Sequence, residues 1–243
     1  FALAACGTSS KTTASTAPEA SADTGATGEG NSIEGMTVAF IPKLTGNSFF
    51  EAANDGAQKY AEQWGITVKY MGSATASVTD QLTVIDQAIA EGVDAIAISS
   101  VDATALDEKL KEAQDQGIIV CTWDSDVSSD ARSIMVSQGT ADILGPMLVE
   151  MGVKSLIERG KDPTKDAIKY VWHYSQATVA DQNSWYVAGQ KYIEETYPNW
   201  IAVSEPFYSE QDSQKSVSVG ESILEAYPDI DLIICNDSTA LPG

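Results

Sequence analysis

The chain has 243 residues, with 14 basic against 35 acidic side chains and a net charge of −21. That length allows one large domain or two of roughly 100–150 residues each. A body so acidic repels phosphate backbones, which argues against nucleic acid as a partner. One histidine and three scattered cysteines without CxxC spacing leave no donor set for a multi-histidine or zinc-type site, so no metal or cofactor is expected.

Phe1-Ala2-Leu3-Ala4-Ala5-Cys6 reads as the end of a signal peptide closing on a lipobox: leucine, two small residues, then the cysteine that becomes a lipidated N-terminus. The sequence is therefore expected to begin partway through that signal. Residues 7–35 are mostly Ser, Thr, Ala, Gly and Glu. They carry too few apolar side chains to offset the entropy of ordering, and a flexible tether of this length reaches on the order of 30 Å. After residue 35 no apolar run approaches the ~20 residues of a membrane span. The expectation is an extracytoplasmic protein held at a membrane by its lipid alone, with residues 1–35 as signal remnant, lipobox and tether.

From Met36 the pattern alternates strand and helix. Met36–Pro42 is a short apolar strand. The next helix, which Ser48 and Glu51 suit as a capping box, repeats Phe49, Ala53, Ala57, Tyr60, Ala61 and Trp64 at helical spacing and ends at Gly65. Strand Ile66–Tyr70 follows, then a helix with Leu82, Ile85 and Ile89 on one face, stopped by Gly92. Strand Val93–Ser99, a helix through Leu106, Leu110 and Ala113 to Gly117, and strand Ile118–Trp123 complete the run. Helices ending in glycine before β-branched runs imply a parallel sheet. Ser133–Ser137 reads as a fifth strand and 141–159 as a longer helix with Pro146 inside it. The alternation then restarts: strand Ile168–Tyr174, helix Gln182–Thr196, strand Ile201–Phe207, helix Ser213–Ala226 and strand Leu232–Cys235. The expected fold is α/β, two similar lobes that are each a parallel sheet flanked by helices, at 36–140 and 141–243. Cys121 and Cys235 lie in apolar runs and read as free thiols, and His173, among Tyr170, Trp172 and Tyr174, as a packed core or rim residue.

Open parallel sheets bind ligands beyond the carboxyl ends of their strands. The polar residues just past those ends are Lys43, Asp124 with Asp126 nearby, Ser175 leading to Asp181 and Gln182, and Asn236, Asp237 and Ser238. Carboxylates and amides suit a small hydroxylated ligand, because they accept from and donate to hydroxyls. Phe49 or Phe50 is placed to cover an apolar ring face, and Lys43 beside Asp124 and Asp181 would keep charge compensated. Any one of these residues is equally an ordinary cap or turn residue. No GxGxxG after a strand, Walker A loop or GxSxG elbow occurs, so a catalytic role has no motif behind it. A regulator of the same fold would need a helix-turn-helix where residues 1–35 carry a lipobox and tether.

Ala39-Phe40-Ile41-Pro42-Lys43, Thr122-Trp123-Asp124-Ser125-Asp126, Gln138-Gly139-Thr140, Asp181-Gln182-Asn183 and Ala240-Leu241-Pro242 together resemble the Lsr-type autoinducer-2 binding proteins. These are sugar-binding, type I periplasmic-binding proteins of ABC importers. The resemblance runs from about residue 36 to the last residue. It implies a monomeric receptor that passes autoinducer-2 to a membrane permease, with ligand contacts from Lys43, Asp124, Asp181 and Gln182. Family members continue for roughly a third more sequence, so the second lobe is expected to be incomplete here. Asn236 and Ser238 stand where the best-known members have Pro and Ala. Side chains intruding there would shift the ligand towards a pentose or a deoxyhexose such as ribose or rhamnose.

Overall fold

The computed structural model describes residues 32–240. Cys6, nearly all of the expected tether, and Leu241-Pro242 lie outside them. Strand β1 (Thr37–Ile41) leads to α1 (Ser48–Trp64), then β2 (Thr67–Tyr70), α2 (Val78–Ala90), β3 (Ala95–Ile98), α3 (Asp107–Asp115), β4 (Ile119–Trp123) and β5 (Ile134–Val136). These strands form one parallel sheet in the order β2-β1-β3-β4-β5, with Thr37 opposite Thr67, Val38 opposite Ala95 and Ala95 opposite Ile119. Ala39, Ile41, Ile96, Ile98 and Val120 are fully buried against Ile85 and Ala88 of α2 and Leu110 and Ala113 of α3. Near-continuous apolar strands are what a sheet covered on its faces by helices requires.

The glycines that end the first three helices have a backbone reason to be there. Gly65, Gly92 and Gly117 all adopt positive φ, +67°, +65° and +87°, the left-handed turn in which a Cβ is penalised. The start of α1 differs from the capping-box expectation. Asn47 is the cap, its side-chain oxygen accepting from the Phe49 N–H at 3.0 Å. Glu51 accepts instead from the Gly46 N–H at 2.7 Å and from the Tyr70 hydroxyl at 3.0 Å. Ser48 is already helical, so its own side chain is one position too late to cap.

The second sheet follows α4 (Ala141–Glu158), which continues through Pro146. It comprises β6 (Lys169–Tyr174), β7 (Ile201–Ala202), β8 (Phe207–Tyr208) and β9 (Leu232–Cys235), with α5 (Ala180–Thr196) and α6 (Ser213–Ala226) between them. The single strand expected at 201–207 is two short ones. Ile201 and Val203 donate to the carbonyls of Ile168 and Tyr170, and Ser209 donates to that of Tyr174. These acceptors are all even-numbered and so point to one edge of β6. Thus β7 and β8 are one strand interrupted at 203–206, where Pro206 has no N–H for the ladder. On the opposite edge β9 pairs in parallel, with Tyr170 opposite Leu232.

The helices of this half pack very closely. A Cβ on Gly145 of α4 would stand 2.6 Å from both the Gly189 nitrogen and the Trp185 oxygen of α5. One on Gly189 would stand 2.7 Å from the Trp172 ring. The two glycines thus let α4 and α5 meet backbone to backbone and let the Trp172 ring of β6 lie against α5, and Tyr170, Trp172, Tyr174 and Ile193 fill the core around them.

Candidate functional site

The strand order of the first sheet reverses between β1 and β3, the switch point at which a crevice opens beyond the carboxyl ends. Gln81 of α2 spans this crevice, 3 % exposed. Its Nε2 donates to the Pro42 carbonyl at 3.0 Å and the Ser99 carbonyl at 2.7 Å, and its Oε1 accepts from the Val101 N–H at 2.9 Å. The segments after β1 and β3 are therefore tied to one buried amide. Lys43 and Ser99 emerge from these fixed ends.

Lys43, 2 % exposed, is the hub. Its Nζ lies 3.1 Å from Asp124 Oδ2 and 3.2 Å from both carboxylate oxygens of Asp181. Asp124 follows β4 in a tight three-residue turn: the Ser125 N–H donates back to the Trp123 carbonyl at 2.7 Å, and Asp124 itself has φ +62°. That left-handed backbone is uncommon outside glycine. Ser99 Oγ donates to Asp124 Oδ2 at 2.7 Å, and Gln138 Nε2 donates to Oδ1. Behind it the Trp123 ring stacks on Phe40 at 4.6 Å and meets Phe50 edge-on at 5.8 Å.

Asp181 and Gln182 come from the other half, in the first turn of α5, where the helix dipole favours a carboxylate. Burial pushes the Asp181 carboxyl above the usual carboxylate range; Lys43 pulls it down and Asp124 adds to the rise. Burial also works against the Lys43 ammonium, but Asp181 and then Asp124 outweigh it and hold the lysine above its ordinary value. Gln182 Oε1 accepts from both the Ser175 N–H at 3.0 Å and the Ser175 hydroxyl at 2.7 Å, which leaves Nε2 for the cleft. Asn236, just past β9, donates from Nδ2 to the Gln182 carbonyl at 2.8 Å, while its Oδ1 is buried without a partner among the described residues.

Eight of the side chains expected from the sequence, Lys43, Phe49, Phe50, Asp124, Asp181, Gln182, Asn236 and Ser238, line one cavity of about 120 Å³. Gln138, Trp185 and Gln211 line it too and were not anticipated. Trp185 lies four residues past Asp181 on the same helix face, a signal the sequence did offer. Asp126 serves elsewhere: Arg132 grips both its oxygens at 2.8 Å and Thr122 donates to it at 2.5 Å. His173 sits inside β6 at 2 % exposure, its Nε2 buried without a partner among the described residues. Burial holds its imidazole below the usual range, against the charge of Asp237. Cys121 and Cys235 are free thiols. Among the described residues no group of His, Cys, Asp and Glu has the arrangement of a metal site.

The cavity is well below the ~300–1,000 Å³ of clefts that hold drug-sized ligands, so it suits one small ring. Its polar wall offers carboxylate oxygens and an amide oxygen to hydroxyl donors, and an ammonium and an amide N–H to oxygen acceptors. Its aromatic wall of Phe49, Phe50 and Trp185 offers cover to a ring face. Further contacts join the two halves beside it. Asn47 Nδ2 donates to Ser238 Oγ at 3.0 Å, and the Ala103 N–H donates to the Thr178 carbonyl at 3.0 Å.

Residues 38–243 match the model of the periplasmic binding protein domain. Among solved structures, LsrB from Clostridium saccharobutylicum in complex with AI-2 is 62 % identical, with a TM-score of 0.84 over 85 % of this chain and 64 % of that one. An ABC transporter solute-binding protein from Clostridium phytofermentas with bound L-rhamnose is 25 % identical, with a TM-score of 0.75 over 85 % of this chain and 62 % of that one. The D-ribose/D-allose-binding protein of Pseudomonas aeruginosa is 24 % identical over 215 residues, 84 % of this chain and 63 % of the relative. The chain thus spans somewhat under two thirds of the length of these proteins.

Proposed function

Because the chain belongs to the periplasmic binding protein domain family, with two parallel sheets flanked by helices in the type I periplasmic-binding fold, we propose that it is a non-catalytic solute-binding protein. Its ligand is AI-2, held in the cavity around Lys43 and delivered to the permease of an ABC importer. The observation that carries the reading is the convergence of Lys43, Asp124, Asp181 and Gln182 on one small cavity, in a chain 62 % identical to an AI-2-bound LsrB. Lys43 donates to a ligand oxygen, the two carboxylates accept from hydroxyls, and Asn236 Oδ1 gains the donor it lacks. Calorimetry on the full-length protein should give saturable one-to-one binding of AI-2. At a hundredfold excess over Kd the added stability is about 2.7 kcal/mol, which raises the melting temperature by roughly 5–10 °C for a chain of this size. No response to AI-2, with saturation by D-ribose or L-rhamnose, would sink the assignment.

A second reading, a pentose or deoxyhexose receptor, is favoured by one specific observation. The side chains of Asn236 and Ser238 both reach the cavity wall, where they add polar groups that match a further sugar hydroxyl. The same titrations separate it from the first.

We also propose an extracytoplasmic location with a lipid anchor at Cys6, supported by the Leu3-Ala4-Ala5-Cys6 sequence. No described helix is long and apolar enough to cross a membrane. Expressed with its own leader, the protein should sediment with membranes, and Cys6→Ser should release it; a wild type that stays in the soluble fraction would refute the anchor.

A further inference from the structure

The segment after β8 carries two consecutive non-glycine residues in the left-handed region, Glu210 at φ +55° and Gln211 at φ +56°. Neither residue type has the short side chain that makes this conformation cheap for asparagine or aspartate. The surroundings hold the backbone there. Ser209 and Glu210 donate to the carbonyls of Tyr174 and Ser175 at 3.0 and 2.9 Å, and the Asp212 N–H closes back on the Ser209 carbonyl at 3.0 Å. Asp212 in turn caps α6 through the Lys215 N–H at 2.7 Å, and Lys215 Nζ pairs with Glu210 at 2.6 Å. A conformation so firmly held, and so costly for its residues, is a common mark of a binding site.

The strained turn places Gln211, 6 % exposed, between two spaces. It lines the inner cavity with Lys43 and Asn236, and also a wider outer cleft of about 620 Å³ bordered by Asn47, Ser48 and Ser213. Its Oε1 is buried and has no donor among the described residues. A buried acceptor left without a partner is a standing penalty that a bound hydroxyl removes. Of these two spaces Lys43, Asp124 and Asp181 line the inner alone, so Gln211, which lines both, stands on the outward side of the charged cluster.

We propose that Gln211 is a specificity-determining residue whose side-chain carbonyl accepts a hydrogen bond from a hydroxyl on the outward side of the ligand. The proposal rests on the binding function above and adds a residue to it. Ligands lacking a donor at that position leave the acceptor buried and unpaired, and are discriminated against.

The test uses the full-length protein, its Gln211→Met variant and its Gln211→Gly variant, each titrated with AI-2, D-ribose and L-rhamnose and melted without ligand. Methionine keeps the length and removes the acceptor; glycine also relieves the left-handed backbone. Both variants should bind the preferred ligand about tenfold more weakly. The melting temperature without ligand should be unchanged or raised for Gln211→Met and raised for Gln211→Gly. A loss of affinity together with a gain in unliganded stability is what a merely structural role does not produce. Wild-type affinity in both variants, or weakened binding that accompanies a lower melting temperature in both, overturns the proposal. A wild type that binds none of the three ligands overturns the binding function itself, and this inference with it.

Discussion

Lys43→Met should abolish measurable ligand binding and destabilise the unliganded fold by about 3–5 kcal/mol, or roughly 10 °C in melting temperature for a chain of this size. Among the described residues the lysine is the one cation on two carboxylates, 3.1 and 3.2 Å away and almost fully buried. Removing it leaves both charges desolvated and facing each other. Hydrogen bonds from Ser99 and Gln138 satisfy Asp124 but neutralise nothing. The variant also has a diagnostic pH dependence. The Asp181 carboxyl already titrates above its ordinary value of 3.8, and loss of the lysine, which pulls it down, raises it further. A carboxyl with a raised folded-state value contributes stability that is fully present below the unfolded value and is lost as pH rises through the folded one. Urea unfolding of Lys43→Met should therefore show stability falling, as pH rises above the ordinary carboxylate value, much more steeply than in the wild type. A variant with wild-type stability at pH 8 would show that the pair is solvated in solution.

Asp181→Asn should separate binding from stability in the opposite direction. The cluster carries two negative charges against one positive. Burial is the largest influence on Asp181 and acts against its ionised form, so at neutral pH the fold holds this carboxylate at a cost. The amide removes that cost and leaves Lys43 paired with Asp124. Unliganded Asp181→Asn should melt above the wild type at pH 7, and the advantage should vanish as pH falls towards the unfolded value, where the native carboxyl is protonated too. Ligand affinity should fall by about 10- to 100-fold, the range for losing a hydrogen bond to a charged group. Titration calorimetry and thermal melting on the same preparation check both halves. A variant that is less stable and binds normally would place Asp181 in the scaffold alone. Stability given up for function is a frequent feature of binding sites.

The first sheet was legible because each strand was an apolar run and each of its first three helices stopped at a glycine that the backbone requires. The site was legible for a related reason. In a parallel sheet the residue after a strand is delivered to the same edge as its neighbours, so Lys43, Asp124 and Asn236 followed from counting strand ends. The same count reaches Ser99, after β3, yet a lone serine carries no charge to draw attention. Gln81, Gln138 and Gln211 were out of reach for another reason. Glutamine is an ordinary surface residue, and only tertiary structure turns these three into a strut, a carboxylate donor and a cavity wall. The break between β7 and β8 had a local signal in Pro206, outweighed by the apolar residues on either side. Asn47 lost to Ser48 because boundary positions shift by a residue on small differences in side-chain reach.

The contact between Lys43 and Asp181 crosses from the first sheet's edge to the first turn of α5, so separating the halves pulls it apart. An ion pair exposed to water regains hydration about as large as the attraction it gives up. Parting the two segments at this contact therefore costs the protein little from the ion pair itself. Under the proposed function, a substitution at Lys43 or Asp181 therefore alters a direct ligand contact and this crossing between the halves together.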